Sequence, residues 1–342
     1  MLEEAERVAR GVGARGIVAR VHAEQTEIRL LEGELALDDA VAVFDDALAT
    51  IRAEGDERGL GRAEVVACSV HFLACNLAAV GTAAERAAAH FARAGFSPAG
   101  PTGMLAEALY YGATPVDEAT SRCGELLGQA PDRGTEANLT AVLGGLRALA
   151  GDHAEARSLL DHARGVYEDI GNTRGVLTVW TPLRIDAEAC AGNVDAATAL
   201  AEASLRTLSA QGEAGYATTR AVELAELLLA QGADREAETF VAIAERDALP
   251  SDVLVQFLCR SLRARLLGRT GELTSGLAFG RDAVSLASLT DALRYRARAH
   301  VALAEVLELA GDAASARAEH EAARRLVRQK GVKGALAGAP ST

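Results

Sequence analysis

The sequence predicts an all-α superhelix, an α-solenoid of about eight helical hairpins with a period near 40 residues. Composition predicts the helices, and two repeating patterns predict the hairpins. Hydrophobic residues make up 49% of the 342 residues, whereas aromatic residues make up only 4%, and there are just seven prolines. Alanine, leucine, glutamate and arginine, which favour helices, extend over nearly the whole length and disfavour a β-rich fold.

A glycine recurs at a nearly constant interval in the second half of the chain, between two apolar segments. Gly151, Gly192, Gly232, Gly271 and Gly311 are separated by 41, 40, 39 and 40 residues. Glycine adopts the left-handed conformation that ends a helix, and an aspartate or asparagine after it can accept hydrogen bonds from the free amides of the next helix. We therefore expect one helix to end at each glycine and the next to begin directly after it.

The second helix of each hairpin carries small residues seven positions apart. Such residues lie two turns apart on one helix face, and their small side chains let a neighbouring helix approach closely. We therefore expect tight antiparallel packing in each hairpin. The pairs are Ala156 with Ala163, Ala197 with Ser204, Ala237 with Ala244, Gly276 with Ala283, Ala316 with Ala323, Ala40 with Ala47, and Ala87 with Ala94.

The placing of these small residues resembles that of the tetratricopeptide repeat (TPR) family. A TPR hairpin also has a small residue at the eighth place of its first helix, where this chain has Gly144, Ala225, Ala264 and Ala304. The resemblance covers almost the entire chain and implies a right-handed superhelix of TPR-like hairpins. Two features differ from the family: the period is about 40 rather than 34 residues, and the proline that usually closes each repeat is missing.

A second resemblance is to the carboxy-terminal repeat region of actinobacterial signalling regulators that carry an AAA-like ATPase, often beside an adenylate or guanylate cyclase domain. Residues 112–119, residues 303–311 and Lys330-Gly331 look like that group. A phosphate-binding loop needs a lysine in a glycine-rich motif, whereas the only lysines here are Lys330 and Lys333, near the end. The chain therefore looks like the repeat arm of such a regulator without its enzyme. We predict no catalytic residues and no cofactor.

One group of metal-ligand residue types occurs on a predicted helix. Cys68, His71 and Cys75 could face one side of that helix, as zinc ligands would. The two cysteines lie about 10 Å apart along a straight helix, which is too far for one ion. We therefore predict no metal there. The five cysteines of the chain are odd in number and widely spaced, which suits reduced core thiols.

The charge balance limits the classes of partner. With 35 basic and 48 acidic side chains, the chain carries a formal charge of −13. This balance argues against direct binding of nucleic acid or of an anionic membrane surface. No apolar stretch reaches the ~18 residues of a membrane span, and residues 1–10 lack the pattern of a secretory signal. We therefore expect a cytoplasmic protein.

A cluster of glycines and prolines at residues 97–103 predicts a hinge. The hinge would separate less regular hairpins at residues 1–96 from a regular array at residues 104–330, whose last helix is polar enough to cap the stack. We expect residues 331–342 to form a flexible tail.

The TPR resemblance also assigns residues to a concave groove lined by the first helices. The only tryptophan, Trp180, stands beside Thr181-Pro182 in a predicted first helix, and proline bends a helix. Its side chain either fills the gap that the bend creates or projects into the groove as an aromatic anchor for a partner. The groove-facing places of TPR first helices fall on Asn138, Asp186, Glu226, Arg265, Arg298 and Glu305.

These expectations describe a recognition protein rather than an enzyme. The first hypothesis is a scaffold or sensor arm that binds a protein or peptide segment, or a small effector, in a signalling or transcription-regulating system. A second is an all-helical enzyme with a cavity inside the superhelix, which would need converging ionisable residues. A third is a self-association module, a homo-oligomer held by exposed apolar residues.

Overall fold

The computed structural model describes residues 1–333, apart from the side chains of Asp38 and Val41, and all regular secondary structure in that range is helical. The helices up to residue 127 are α1 (Leu2–Gly11), α2 (Arg15–Leu31), α3 (Leu37–Ala53), α4 (Glu57–Leu73), α5 (Leu77–Arg93), α6 (Ala99–Tyr111) and α7 (Val116–Leu127). The next are α8 (Arg133–Leu149), α9 (His153–Asp169), the single turn α10 (Thr173–Gly175), a π-helical turn (Val176–Trp180), α11 (Thr181–Cys190) and α12 (Val194–Ala210). The last are α13 (Ala214–Ala230), α14 (Asp234–Asp247), α15 (Val253–Arg269), α16 (Leu273–Ser288), α17 (Leu293–Leu309) and α18 (Ala313–Lys330).

The helices form two compact units. The first unit comprises Met1–Ala108 and Leu249–Asp252, and the second comprises Leu109–Ala248 and the chain from Val253 onward. In the first unit α2 packs on α3, α4 packs on α5, and the first helices α2 and α4 lie side by side. The second unit contains the hairpins α8–α9, α11–α12, α13–α14, α15–α16 and α17–α18. Among their first helices, α8 contacts α11, α13 contacts α15, and α15 contacts α17. The prediction of an all-α array of TPR-like hairpins is confirmed.

The periodic glycines end helices as the sequence predicts. Gly151, Gly192, Gly232, Gly271 and Gly311 all have φ between +75° and +88°. A side chain is strained in this left-handed region, so glycine is the residue that lets the chain reverse within two or three positions.

The capping side chains follow the prediction only in part. Asp312 accepts a hydrogen bond from the amide of Ser315 at 3.1 Å, as expected of a residue that begins a helix. Asn193 instead donates its side-chain amide to Glu188 at 2.7 Å, and no cap hydrogen bond forms at Asp152. The side chain of Asn193 bonds to the end of the preceding helix and therefore does not cap the helix that follows it.

The small residues at the hairpin contacts are buried, as predicted, except Ala94, which is partly exposed. Ala156 and Ala163 are at most 1% exposed. Gly144 shows how closely α8 and α9 approach, because a Cβ atom there would lie 2.8 Å from Cγ of Leu160 and 3.1 Å from the carbonyl oxygen of Ala156. The geometry of this hairpin therefore depends on the absence of a side chain at residue 144.

Helix α6 begins inside the predicted hinge. Pro101 lies in its first turn, where backbone amides have no helical acceptor, so a proline costs little there. Residues 99–103 are therefore helical, and the hinge itself stays a prediction. The boundary between the two units follows Ala108. A pivot between subarrays stays a prediction.

The first residues of the predicted flexible tail are packed. Gly331 ends α18 with a φ of +79°, and Val332 is buried. The amide of Lys333 donates to the carbonyl oxygen of Leu149 at 2.8 Å. Residues 334–342, the remainder of the predicted tail, lie outside the described residues.

We expect Gly144→Val to lower the free energy of unfolding by about 2 kcal/mol or more, because the new side chain would push α8 away from α9. The matched control is Gly165→Val on the exposed face of α9, where no atom lies within 4 Å of an added Cβ. This variant should change the free energy of unfolding by less than about 0.5 kcal/mol. Urea denaturation followed by circular dichroism measures both. Equal effects of the two variants would contradict the packing argument.

Candidate functional site

Charged side chains of the first helices converge inside the second unit. Asp186 of α11 accepts hydrogen bonds from both terminal nitrogens of Arg294 on α17, each at 3.1 Å, and from the hydroxyl of Tyr110 on α6 at 2.7 Å. One turn along α17, Arg298 donates to Glu226 of α13 at 2.9 Å, and its other terminal nitrogen lies 3.7 Å from Asp186. We call these five residues the ion cluster.

Aromatic rings cover the two guanidinium groups of the ion cluster. The guanidinium carbon of Arg294 lies 4.6 Å from the ring centre of Tyr110, and that of Arg298 lies 4.8 Å from the ring centre of Tyr295. Tyr111 stacks on Tyr295 with ring centres 6.3 Å apart. Arg294 is 1% and Arg298 9% exposed, so both charges are held away from water by stacking and ion pairing.

The arginines keep Asp186 ionised. Burial by itself would raise the pKa of Asp186, but Arg294 and Arg298 outweigh it and lower the pKa below its usual value. Glu223 on α13 behaves differently. Burial raises the pKa of Glu223 even though the side chain pairs with Arg220.

A second ion pair joins two neighbouring first helices. Arg265 of α15 donates to Glu305 of α17 through two parallel hydrogen bonds of 2.7 and 3.1 Å. This bidentate arrangement is the strongest geometry for an arginine and a carboxylate. Arg265 is buried, while Glu305 is partly exposed.

Trp180 lies at the end of the π-helical turn. Its indole nitrogen donates to the carbonyl oxygen of Leu160 at 2.7 Å, and the guanidinium of Arg164 lies 4.9 Å from the ring centre. Thr181 donates its hydroxyl to the carbonyl oxygen of Val176 at 2.7 Å, across the widened turn before the proline. Trp180 is 4% exposed, so its side chain fills the packed interior beside the bend and is not exposed as an anchor.

The structure brings five of the seven predicted groove residues together as ion pairs: Asp186, Glu226, Arg265, Arg298 and Glu305. Asp186, Glu226 and Arg298 belong to the ion cluster, whereas Arg265 and Glu305 pair with each other. In this conformation these bonds would have to break before a partner could use the same atoms. Asn138 of α8 and Trp180 take no part in these pairs, and the buried side-chain oxygen of Asn138 makes no hydrogen bond within residues 1–333. Contact between a partner and any of the seven stays a prediction.

The sequence analysis did not identify two members of the ion cluster, Tyr110 and Arg294. Arg294 lies four residues before Arg298 and therefore on the same helix face, which is a usable signal. Tyr110 lies before the first periodic glycine, Gly151, and carries no signal of register.

Lys330 ties the two ends of the second unit together. The side chain is fully buried, and its ammonium nitrogen donates to the carbonyl oxygens of Leu109 at 2.9 Å and Thr114 at 2.7 Å. These acceptors lie 221 and 216 residues earlier in the chain. Burial lowers the pKa of Lys330 to about 7; Arg294 acts in the same direction, and Cys123 and Asp291 act against it.

An open groove of about 640 Å³ lies on the first unit. Its lining comes from the first helices α2 and α4, from α5 and from the segment that follows α5. Gly61 of α4 allows the ring of Phe91 to lie against the helix backbone, because a Cβ atom at Gly61 would lie 2.8 Å from that ring. Ser97 and six larger side chains line the groove, and we call the six the arginine groove: Arg20, Glu24, Arg58, Arg62, Phe91 and Phe96.

The three arginines of the groove differ in their pairing. Arg62 donates to both oxygens of Glu24 at 2.5 and 2.7 Å. Arg20 lies 3.4 Å from Asp56. Arg58 pairs with no carboxylate of residues 1–333, and its guanidinium carbon lies 4.5 Å from the ring centre of Phe96, which is 45% exposed. The sequence pointed to none of these residues, because the less regular first hairpins give no reliable register.

Residues 1–333 contain neither a membrane-spanning helix nor a group of metal ligands. No helix there has both the length and the apolar character that crossing a membrane requires. In the same range no group of three or more histidine, cysteine, aspartate or glutamate side chains is arranged to hold a metal ion. All five cysteines are buried and form no disulfide.

The chain is similar to solved structures at low sequence identity. No protein-family model matches the chain, and no curated protein matches it. Two solved structures are similar over much of their length. One is BtubC (BKLC) from P. vanneervenii, with 18% identity, a TM-score of 0.44, and coverage of 64% of this chain and 90% of that one. The other is the P58(IPK) TPR domain, with 15% identity, a TM-score of 0.28, and coverage of 91% and 96%. At these TM-scores neither similarity supports a conclusion about the function of this chain.

We expect Asp186→Asn to lower the free energy of unfolding by about 3 kcal/mol, because Arg294 and Arg298 would stay buried with too little negative charge. The control is Asp169→Asn, which removes an exposed pair of 3.2 Å with Arg133 and should cost less than about 0.5 kcal/mol. Urea denaturation at neutral pH measures both variants. A loss in Asp186→Asn no larger than in the control would contradict a structural role for the ion cluster.

Because Lys330 is buried, we expect the free energy of unfolding to depend on pH. The unfolded chain keeps an ordinary lysine pKa near 10.5, whereas burial lowers it to about 7, so the unfolded state binds more protons between these values. The free energy of unfolding therefore rises with pH in this range, by up to ~1.4 kcal/mol per pH unit from this group. The thiols of Cys123 and Cys190, whose pKa burial raises to about 12 and about 11, act in the opposite direction at higher pH.

The test compares urea denaturation at about pH 6.5 and about pH 8.5, below most of the range in which the thiols titrate. The stability of the wild type should increase relative to that of Lys330→Met as pH rises. Lys333→Met is the matched control, because the side chain of Lys333 is exposed, and it should follow the wild type. Parallel behaviour of wild type and Lys330→Met would show that Lys330 keeps an ordinary pKa.

Proposed function

We propose that the chain is a non-catalytic helical-repeat scaffold that binds a protein or peptide segment. The observation that carries the proposal is the arginine groove. Side chains of two successive hairpins, α2–α3 and α4–α5, face one open volume there, and stacked repeats bind extended partners through such shared surfaces. A small effector in the same groove, with the chain as a sensor arm, is the other form of this proposal.

The two units support a division of roles. In the second unit the charged residues of the first helices pair with one another, which favours a structural role for the ion cluster. In the first unit Arg58 and Phe96 are left exposed. We therefore assign binding to the first unit. Of the six groove residues proposed from the TPR register, all but Asn138 would have to break an ion pair before they could bond to a partner, and Trp180 is buried.

The ion cluster also provides the converging ionisable residues that an all-helical enzyme would need. The carboxylate of Asp186 already accepts three hydrogen bonds, and the carboxylate of Glu226 accepts one from Arg298. Groups held in this way are poorly placed to bind or transfer a proton to a substrate. This pairing supports a scaffold over an enzyme.

The signalling context is part of the proposal. It is supported by residues 112–119 and 303–311, which look like the repeat arms of bacterial regulators that carry an ATPase. In that setting the chain would couple the binding of a partner to a regulatory system.

We expect a partner captured from a lysate of the chain's own host to be lost in the groove variant Arg20→Ala/Phe96→Ala. Both side chains are partly or fully exposed, so the variant should stay folded, which circular dichroism checks. The matched control is Phe279→Ala, which removes an exposed ring of the second unit. Quantitative mass spectrometry compares the three captures. A stoichiometric partner retained by the groove variant would contradict binding in the groove.

A further inference from the structure

We infer that the arginine groove binds an acidic peptide segment in which a glutamate or aspartate lies next to a large apolar residue. The inference rests on the proposed function and names the chemistry of its partner.

The charge of the groove is incompletely balanced. Glu24 is the only acidic side chain among the six that define it, and both of its oxygens are bonded to Arg62. Asp56, which faces Arg20, also accepts a hydrogen bond from the amide of Gly59 at 2.9 Å. Arg58 has no carboxylate partner within residues 1–333. A carboxylate from a partner would supply the missing countercharge.

The stacking of Arg58 leaves its hydrogen-bond donors available. A guanidinium that lies over an aromatic ring uses its face, whereas its N–H groups point outward along its edge. Those groups match the two oxygens of a carboxylate, and such bidentate pairs are stronger than ordinary hydrogen bonds. Phe96 therefore holds the guanidinium of Arg58 in place before a ligand arrives, which reduces the entropy lost on binding.

The rings of Phe91 and Phe96 provide the apolar part of the site. Phe91 is half-buried against α4, and Phe96 is exposed. A leucine, phenylalanine or similar side chain beside the partner's carboxylate would cover this aromatic surface while the carboxylate bonds to Arg58. The groove volume of about 640 Å³ accommodates several side chains.

The pairing pattern favours an acidic peptide over a nucleic acid. A polyphosphate backbone needs several cations free of countercharge. Arg62 is committed to Glu24, and Arg20 lies near Asp56. One uncompensated arginine beside two phenylalanines suits a single carboxylate flanked by apolar atoms.

The test is selection of a random decapeptide library, displayed on phage, against the full chain. We expect the enriched peptides to contain an aspartate or glutamate adjacent to a large apolar residue. A fluorescein-labelled peptide from this pool is then titrated by fluorescence anisotropy. Its Glu→Gln or Asp→Asn form should bind at least about 10-fold more weakly, consistent with loss of a charged hydrogen bond.

Variants of the chain complete the test. Arg58→Gln should lower the affinity for the selected peptide by about 10-fold or more. Arg58→Lys should retain only part of the affinity, because lysine keeps the charge but not the planar guanidinium group. Arg52→Gln is the matched control, since Arg52 is exposed and lies outside the groove.

The outcomes separate the inference from the proposed function. Selected peptides that depend on Phe96 but show no acidic residue, or no loss with Arg58→Gln, would overturn the inference and leave the scaffold intact. Failure to select any peptide whose binding depends on Arg20, Arg58 or Phe96 would overturn both.

Discussion

The second unit depends on the pairing of one largely buried carboxylate with two buried arginines. Asp186 receives hydrogen bonds from Tyr110 and Arg294 and lies near Arg298, so it connects α6, α11 and α17, and Glu226 extends the contact to α13. Removing such charges from water costs several kcal/mol each, and only well-placed partners recover that cost. The helices must therefore meet in one arrangement, and the buried bonds of Lys330 hold the ends of the unit in that arrangement.

Charge is used in opposite ways in the ion cluster and in the arginine groove. In the ion cluster the arginines are buried, covered by tyrosine rings and paired, and the first unit has a pair of its own between the buried Glu64 and Arg86. In the first unit Arg58 stays exposed, stacked on Phe96 and free of a carboxylate. A buried pair is already satisfied, whereas an exposed and preorganised cation still has hydrogen-bond donors to offer. This contrast is why recognition is assigned to the first unit.

Local features were predictable where the outcome depends on neighbours in the sequence. The positive φ of Gly151 and Gly192 follows from the need to reverse the chain, and the burial of Ala163 follows from helix periodicity. Asn193 was less predictable, because its side chain bonds to Glu188 rather than to its own helix. For Trp180 the sequence left two alternatives open, and the hydrogen bond to the carbonyl of Leu160 selects the buried one.

The sequence by itself determined the all-α class, the 40-residue spacing and the small residues at the helix contacts, because these depend on backbone conformation and on periods of a few residues. Only the tertiary structure decided that Asp186 meets Arg294, 108 residues later, and that Lys330 reaches Leu109. It also decided which arginines of α2 and α4 lack a carboxylate. Those outcomes depend on how each hairpin is rotated relative to the next. Small rotations add up over several repeats, and no local sequence pattern predicts their sum.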